Sequence, residues 1–281
     1  MVELLGGSEV RALAEELGVA PTKKLGQNFV TDPNTIRRIV AAAKLNGTEV
    51  VVEIGPGLGS LTLGLLEQAK TVIAVEIDQK MAQAIESTVA KRAKGKDFRL
   101  VTADAMKVTE LPIAPDALVA NLPYNISVPV LLHFLETFPS IQSGLVLVQA
   151  EVAHRLAATP GSKIYGVPSA KLAWYADSHL AGNVGRSVFW PVPNVDSALV
   201  YFTKRISPLG DEVLRLKTFA VIDEAFSQRR KTLRQALANW AGSPVLAEQY
   251  LVAAGIDPSK RGEALNINDF VLIAKQGPDA V

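Results

Sequence analysis

Runs of aliphatic and β-branched residues alternate along this chain with stretches whose apolar positions recur every three or four residues. Val50–Ile54, Thr71–Val75, Phe98–Thr102, Ala117–Ala120 and Gly144–Gln149 read as strands. Between them, Leu61–Gln68, Met81–Ala93 and Val128–Phe138 read as helices. Near-continuous apolar strands separated by helices predict an α/β fold, a mostly parallel sheet with helices on both faces. Upstream, Val10–Leu17 reads as a short helix stopped by Gly18. A second helix starts at Asp32-Pro33, with Asp as the cap and Pro in the first turn. It carries Ile36, Ile39, Val40 and Ala43 on one face and ends by Gly47.

The pattern changes further on. From Ser169 to Thr203 the chain reads as strand-rich, with Pro191-Val-Pro193 as a rigid insertion. Beyond Ser207–Gly210 it turns helical, over Asp211–Trp240, Val245–Ala254 and Ile267–Ala274. The expected organisation is an α/β domain over 1–204 and a small all-helical domain over 205–281.

Composition narrows the chemistry. The 281 residues are 48% hydrophobic and 20% charged, ordinary globular usage. Cysteine is absent, which excludes disulfides, thiolate nucleophiles and cysteine-held metal clusters. Glu3, Glu9, Glu15 and Glu16 make the start acidic, unlike a signal or transit peptide. The longest run free of Asp, Glu, Lys and Arg, Ala117–Leu135, is broken by Asn121, Pro123, Asn125 and Pro129. It makes a poor membrane span. The expectation is a soluble, cytoplasmic protein. A net charge of +1 argues neither for nor against a nucleic-acid partner.

The chemistry gathers at strand ends. Val50-Val-Val-Glu-Ile-Gly-Pro-Gly-Leu-Gly59 is a strand, a glycine turn and a helix start. Gly55 and Gly57 let the backbone approach a ligand, and the helix start favours a negative group. The spacing is G-x-G-x-G, with Ser60 in the place of the third dinucleotide glycine. Glu76, 17 residues past Gly59, ends the next strand, where a carboxylate accepts ribose hydroxyls. Asp104 follows the third strand, where it could accept the amino hydrogens of an adenine. Each acid by itself could equally be a loop cap. Gly, Glu and Asp on three successive strand ends are much rarer by chance.

Asn121-Leu122-Pro123-Tyr124 ends the fourth strand. An exocyclic amine on a base is a poor nucleophile, because its lone pair is delocalised into the ring. The Asn121 side-chain oxygen and the Leu122 carbonyl suit accepting its hydrogens, which favours a more tetrahedral nitrogen. Pro123 restricts the backbone, and Tyr124 offers a face for a base to stack on.

Together with Lys24-Leu-Gly-Gln-Asn-Phe29, Phe189-Trp-Pro-Val-Pro-Asn-Val-Asp-Ser197 and Phe226-Ser-Gln-Arg-Arg-Lys-Thr-Leu-Arg234, these motifs stand in a recognisable order. The chain resembles the bacterial small-subunit ribosomal RNA adenine dimethyltransferases of the KsgA type over roughly 17–275. The resemblance implies a Rossmann-like class I methyltransferase that uses S-adenosylmethionine. The implied substrate is two adjacent adenosines near the 3′ end of 16S ribosomal RNA in the 30S subunit, dimethylated at N6. It implies that Asn28, Gly55, Glu76, Asp104, Asn121 and the Val30 backbone contact the cofactor. It implies that Tyr124 and Phe189 hold the adenine. Ala150 and Val167 stand where basic residues are common in the family, which touches individual RNA contacts and not the chemistry.

RNA contact is expected from local charge. Arg215–Trp240 carries four net positive charges, including Arg229, Arg230, Lys231 and Arg234. Phe219, Ile222, Phe226, Leu233, Leu237 and Trp240 form an apolar stripe along the same segment, and Arg229 falls on it. Lys23 and Lys24, with Arg37 and Arg38, form a second basic cluster. A folded RNA would be read by shape and a flipped-out base. His133, His154 and His179 are scattered, so no metal site is expected. The rival functions are a large-subunit (23S) rRNA adenine methyltransferase and a 30S assembly checkpoint factor. A monomer is expected.

Overall fold

The computed structural model describes residues 2–18 and 28–278. Lys23 and Lys24 lie outside the described residues. The chain divides into two compact units, 1–153 with 180–203, and 154–179 with 204–281.

The first unit is built on a mixed sheet. The sheet's strands are β2 (Val50–Ile54), β3 (Thr71–Glu76), β4 (Asp97–Thr102), β5 (Ala117–Asn121), β6 (Ser143–Gln149), β7 (Ala176–Val184, which enters this unit at Leu180) and β9 (Ser197–Lys204, which leaves it after Thr203). They lie in the order β4-β3-β2-β5-β6-β9-β7. The pairs β3–β4, β2–β3, β2–β5 and β5–β6 are parallel; β6–β9 is antiparallel. All of β2 and β3 is buried, so both faces of the sheet centre are covered. The apolar runs therefore follow from burial on both sides. Short strands β1 (Phe29–Val30) and β8 (Phe189–Trp190) pair separately, Val30 opposite Phe189.

Helices α1 (Gly7–Glu16), α2 (Pro33–Ala42), α3 (Ser60–Gln68), α4 (Gln79–Arg92) and α5 (Ser127–Thr137) also belong to this unit. Asp32 starts α2 as expected, its carboxylate accepting from Asn34 N and Thr35 N. Gly59, at φ 94°, starts α3. A Cβ there would lie 2.3 Å from the Ile85 side chain, so glycine lets α3 pack against α4.

The boundary expected near residue 204 is incomplete. Residues 154–179 belong to the second unit, because Tyr165, Ala170 and Trp174 are buried with Val221, Leu233 and Phe270. The front of the stretch expected to be strand-rich is instead helix α7 (Val167–Tyr175), following α6 (Ala150–Leu156). Gly166 and Pro168 favour that helix start.

The expected long helix over Asp211–Trp240 is interrupted. It becomes α8 (Glu212–Ser227), α9 (Leu233–Ala236) and α10 (Ala238–Ala241). The non-helical interval holds Arg229, Arg230 and Lys231, so the basic segment is a turn and not one continuous helix face. Helices α11 (Pro244–Ala253) and α12 (Ile267–Gln276) complete the unit.

Candidate active site

Strands β2, β3 and β4 advance to one side and β5, β6 to the other, so the strand order reverses between β2 and β5. Open α/β sheets bind ligands at such a reversal, beyond the carboxyl ends of the strands. A cleft of about 230 Å³ lies there. Its walls include Gly55 and Gly57 after β2, Glu76 to Asp78 at the end of β3, and Asp104 after β4. Asn121 to Tyr124 close it after β5, and Asn28 and Val30 line it from the β1 side. The motifs from Gly55 to Tyr124 thus meet in one place, because β2, β3, β4 and β5 end on the same edge, and Asn28 joins them from the segment before β1.

The glycine turn is sterically required. Gly55 and Gly57 have φ 67° and 55°, a region that disfavours side chains. A Cβ on Gly57 would lie 2.6 Å from the Phe29 ring. Gly57 N donates to Glu76 Oε2 at 3.3 Å, and Asp78 N to Glu76 Oε1 at 3.0 Å. Each carboxylate oxygen keeps further acceptor capacity. Burial pushes the Glu76 carboxyl up from its ordinary value, against the lowering by these amides.

The loop-cap alternatives for Glu76 and Asp104 are both partly met. Glu76 accepts from Asp78 N in the turn after β3, where Asp78 in turn caps α4. Asp104 Oδ1 accepts from Met106 N at 3.0 Å, while Oδ2 lies 3.9 Å from Lys107 Nζ. A capping role does not use up a carboxylate, so Asp104 can cap a turn and still face the cleft.

Asn121 Nδ2 donates to the Asn28 carbonyl at 2.9 Å. A backbone carbonyl can only accept, so the side-chain nitrogen must face it and Oδ1 is turned the other way. The Tyr124 hydroxyl is 2.8 Å from Ser197 Oγ. Burial pushes the Tyr124 phenol up from its ordinary value.

One cleft residue had no role in the sequence reading. Glu53 is fully buried at the end of β2 and accepts from Thr62 Oγ1 at 2.6 Å. Burial, with the neighbouring Glu76 charge, pushes its carboxyl up to about 8. A charged residue in an otherwise apolar strand was the available signal.

The profile of the ribosomal RNA adenine dimethylase family matches residues 20–277. This chain belongs to that family. A ribosomal RNA small subunit methyltransferase A of Arthrobacter sp. (strain FB24) is 62% identical, covering 98% of this chain and 94% of its own. Its counterpart in Streptomyces coelicolor is 60% identical, covering 97% and 96%. Among solved structures, a dimethyladenosine transferase from Plasmodium falciparum matches with TM-score 0.74 at 27% identity, covering 87% of this chain and 95% of its own. The 23S rRNA methyltransferase ErmE matches with TM-score 0.64 at 24% identity, covering 88% and 98%, a likeness of fold alone.

In this rRNA adenine dimethylase some expected site residues stand away from the cleft. Phe189 is 2% exposed and is not on the cleft wall. Its strand β8 pairs with β1, so it is buried in the core with Phe29. Two of the expected RNA-contacting arginines are engaged within their own unit. Arg229 bonds Glu263 at 3.2 Å and the Lys163 carbonyl, and Arg234 bonds Glu248 at 2.7 Å. Helix α8 ends at Ser227, so Arg229 lies in an exposed turn and does not continue the expected apolar stripe. Arg230 and Lys231 are exposed and, among the described residues, have no ion-pair partner.

Proposed function

We propose that this rRNA adenine dimethylase transfers methyl groups from S-adenosylmethionine to N6 of two adjacent adenosines near the 3′ end of 16S rRNA. The small-subunit reading is supported by what the relatives at 62% and 60% identity are called. The protein is proposed to act as a cytoplasmic monomer on the 30S subunit. Among the described residues, no helix is long and apolar enough to cross a membrane.

The cleft's own chemistry fits the cofactor. Ser60 Oγ is buried on the cleft wall, in the first turn of α3, with no hydrogen-bond partner among the described residues. An unmet buried hydroxyl costs free energy that a polar ligand atom recovers. Gly55, Gly57 and the start of α3 are proposed to flank the methionine part. Glu76 accepts the ribose hydroxyls. Asp104 receives the adenine amino group, and Asn28 and Val30 cover the opposite wall. When bound, the cofactor supplies an electrophilic methyl group on a sulfonium.

The observation that carries the reading is the orientation of Asn121. With Nδ2 on the Asn28 carbonyl, Oδ1 is the atom left to accept from the target amine. That contact, with the Leu122 carbonyl, holds the amine near tetrahedral. Tyr124 stacks on the base, with Phe189 supporting the site from the core through β1. Arg230 and Lys231, and Lys23 and Lys24, are proposed to meet phosphates; Arg229 and Arg234 brace the helical unit. The test is to incubate the protein with labelled S-adenosylmethionine and undermethylated 30S or 50S subunits, then map the base. N6 label on adjacent adenosines near the 16S 3′ end is expected. Label confined to 50S subunits would refute the proposal.

A further inference from the structure

Stacking on a base needs a flat ring and no hydroxyl, yet position 124 carries a phenol. Its oxygen lies 2.8 Å from the hydroxyl of Ser197. Ser197 is fully buried and opens β9, where strand register sets it opposite Gln149 at the end of β6. The neighbouring backbone is pinned as well: Ala150 N donates to the Asp196 carbonyl at 2.9 Å, and Arg186 N to Asp196 Oδ1 at 3.2 Å. The serine hydroxyl is thus offered from a fixed point of the sheet.

Tyr124 itself sits in the connection between β5 and α5. A ring held only through its Cβ can turn about two side-chain bonds. Held also at the far oxygen, which lies on the axis of the second bond, the ring can no longer swing about the first. Methyl transfer demands a reacting nitrogen within about 3–3.5 Å of the carbon and in line, and small misplacements cost rate steeply. The ring that carries the base is therefore worth anchoring at both ends.

We propose that Ser197 is a positioning residue for methyl transfer, its hydroxyl fixing the Tyr124 ring against the target adenine. The inference rests on the reading of Tyr124 as the stacking residue. Ser197 is not on the cleft wall, so it is placed to act on the rate through Tyr124.

The test compares Ser197→Ala, Tyr124→Phe, their combination and Tyr124→Ala on undermethylated 30S subunits. Cofactor affinity is read by calorimetry and folding by thermal melting. Ser197→Ala and Tyr124→Phe should each lower kcat about tenfold, the worth of one buried hydrogen bond. KM for 30S and cofactor affinity should stay unchanged. The double variant should be no slower than either single one, since both remove the same bond. Wild-type kcat in Ser197→Ala beside an inactive Tyr124→Ala overturns the inference and leaves the stacking role intact. Independent, multiplying losses that track a lowered melting temperature also overturn it, as a packing effect. Full activity in Tyr124→Ala removes the stacking role and the inference with it.

Discussion

Asn121 and Asn28 are 93 positions apart, and the side chain of the first is held by the backbone of the second at 2.9 Å. The bond joins the motif after β5 to the segment leading into β1. It also fixes which atom of the Asn121 amide addresses the cleft. Asn121→Ala should lower turnover by about 10²–10³, the cost of removing one well-placed polar group. Binding to 30S subunits should survive. Single-turnover methylation and a filter-binding assay measure the two separately, and near-normal turnover would refute the amine-polarising role.

Glu76 touches the glycine turn through Gly57 N and is proposed to hold the ribose. Glu76→Ala should weaken S-adenosylmethionine binding by about 1–3 kcal/mol, because hydroxyl donors lose a charged acceptor. Calorimetry on the folded variant checks this. Unchanged affinity would remove Glu76 from the cofactor site.

Glu53 predicts a pH dependence of stability. Its carboxyl is pushed up to about 8 in the fold, from the ordinary 4.5. The unfolded chain therefore loses this proton at lower pH than the folded one. The stabilisation is complete below about pH 4.5 and is lost as pH rises towards 8. Glu53→Gln keeps the Thr62 contact in kind and cannot ionise. Its melting temperature should gain on the parent's steadily across that window, while the two differ by a constant amount below it. Parallel curves from pH 5 to 8 would show that Glu53 does not stay protonated.

The basic turn after α8 separates into two roles. Arg230→Ala with Lys231→Ala should weaken 30S binding and flatten its salt dependence by about one unit of log–log slope per lost phosphate contact. S-adenosylmethionine affinity should not change. Arg229→Ala instead removes bonds to Glu263 and the Lys163 carbonyl. It should lower thermal stability slightly and leave the salt slope alone. Salt titrations of the two variants side by side decide between these roles.

The local sequence determined the strand–turn–helix units and the chemistry at their ends. Alternation of apolar runs with helical spacing located β2 to β6, and Gly55, Glu76, Asp104 and Asn121 stood out because each directly follows such a run. The parallel topology then brings them to one edge, so their meeting was already implied. Periodicity reports which side of an element is buried, but not which distant residue it meets. The tertiary structure alone decided that Phe189 pairs through β8 with β1 and is buried, although an aromatic beside prolines suits a site equally well. It decided that Arg229 and Arg234 spend their charge on Glu263 and Glu248, because ion pairs between separate segments leave no trace in spacing. It joined Tyr124 to Ser197 across 73 positions by setting the β6–β9 register. It also assigned residues 154–179 to the helical unit, where burying Tyr165 and Trp174 outweighs their place in the chain.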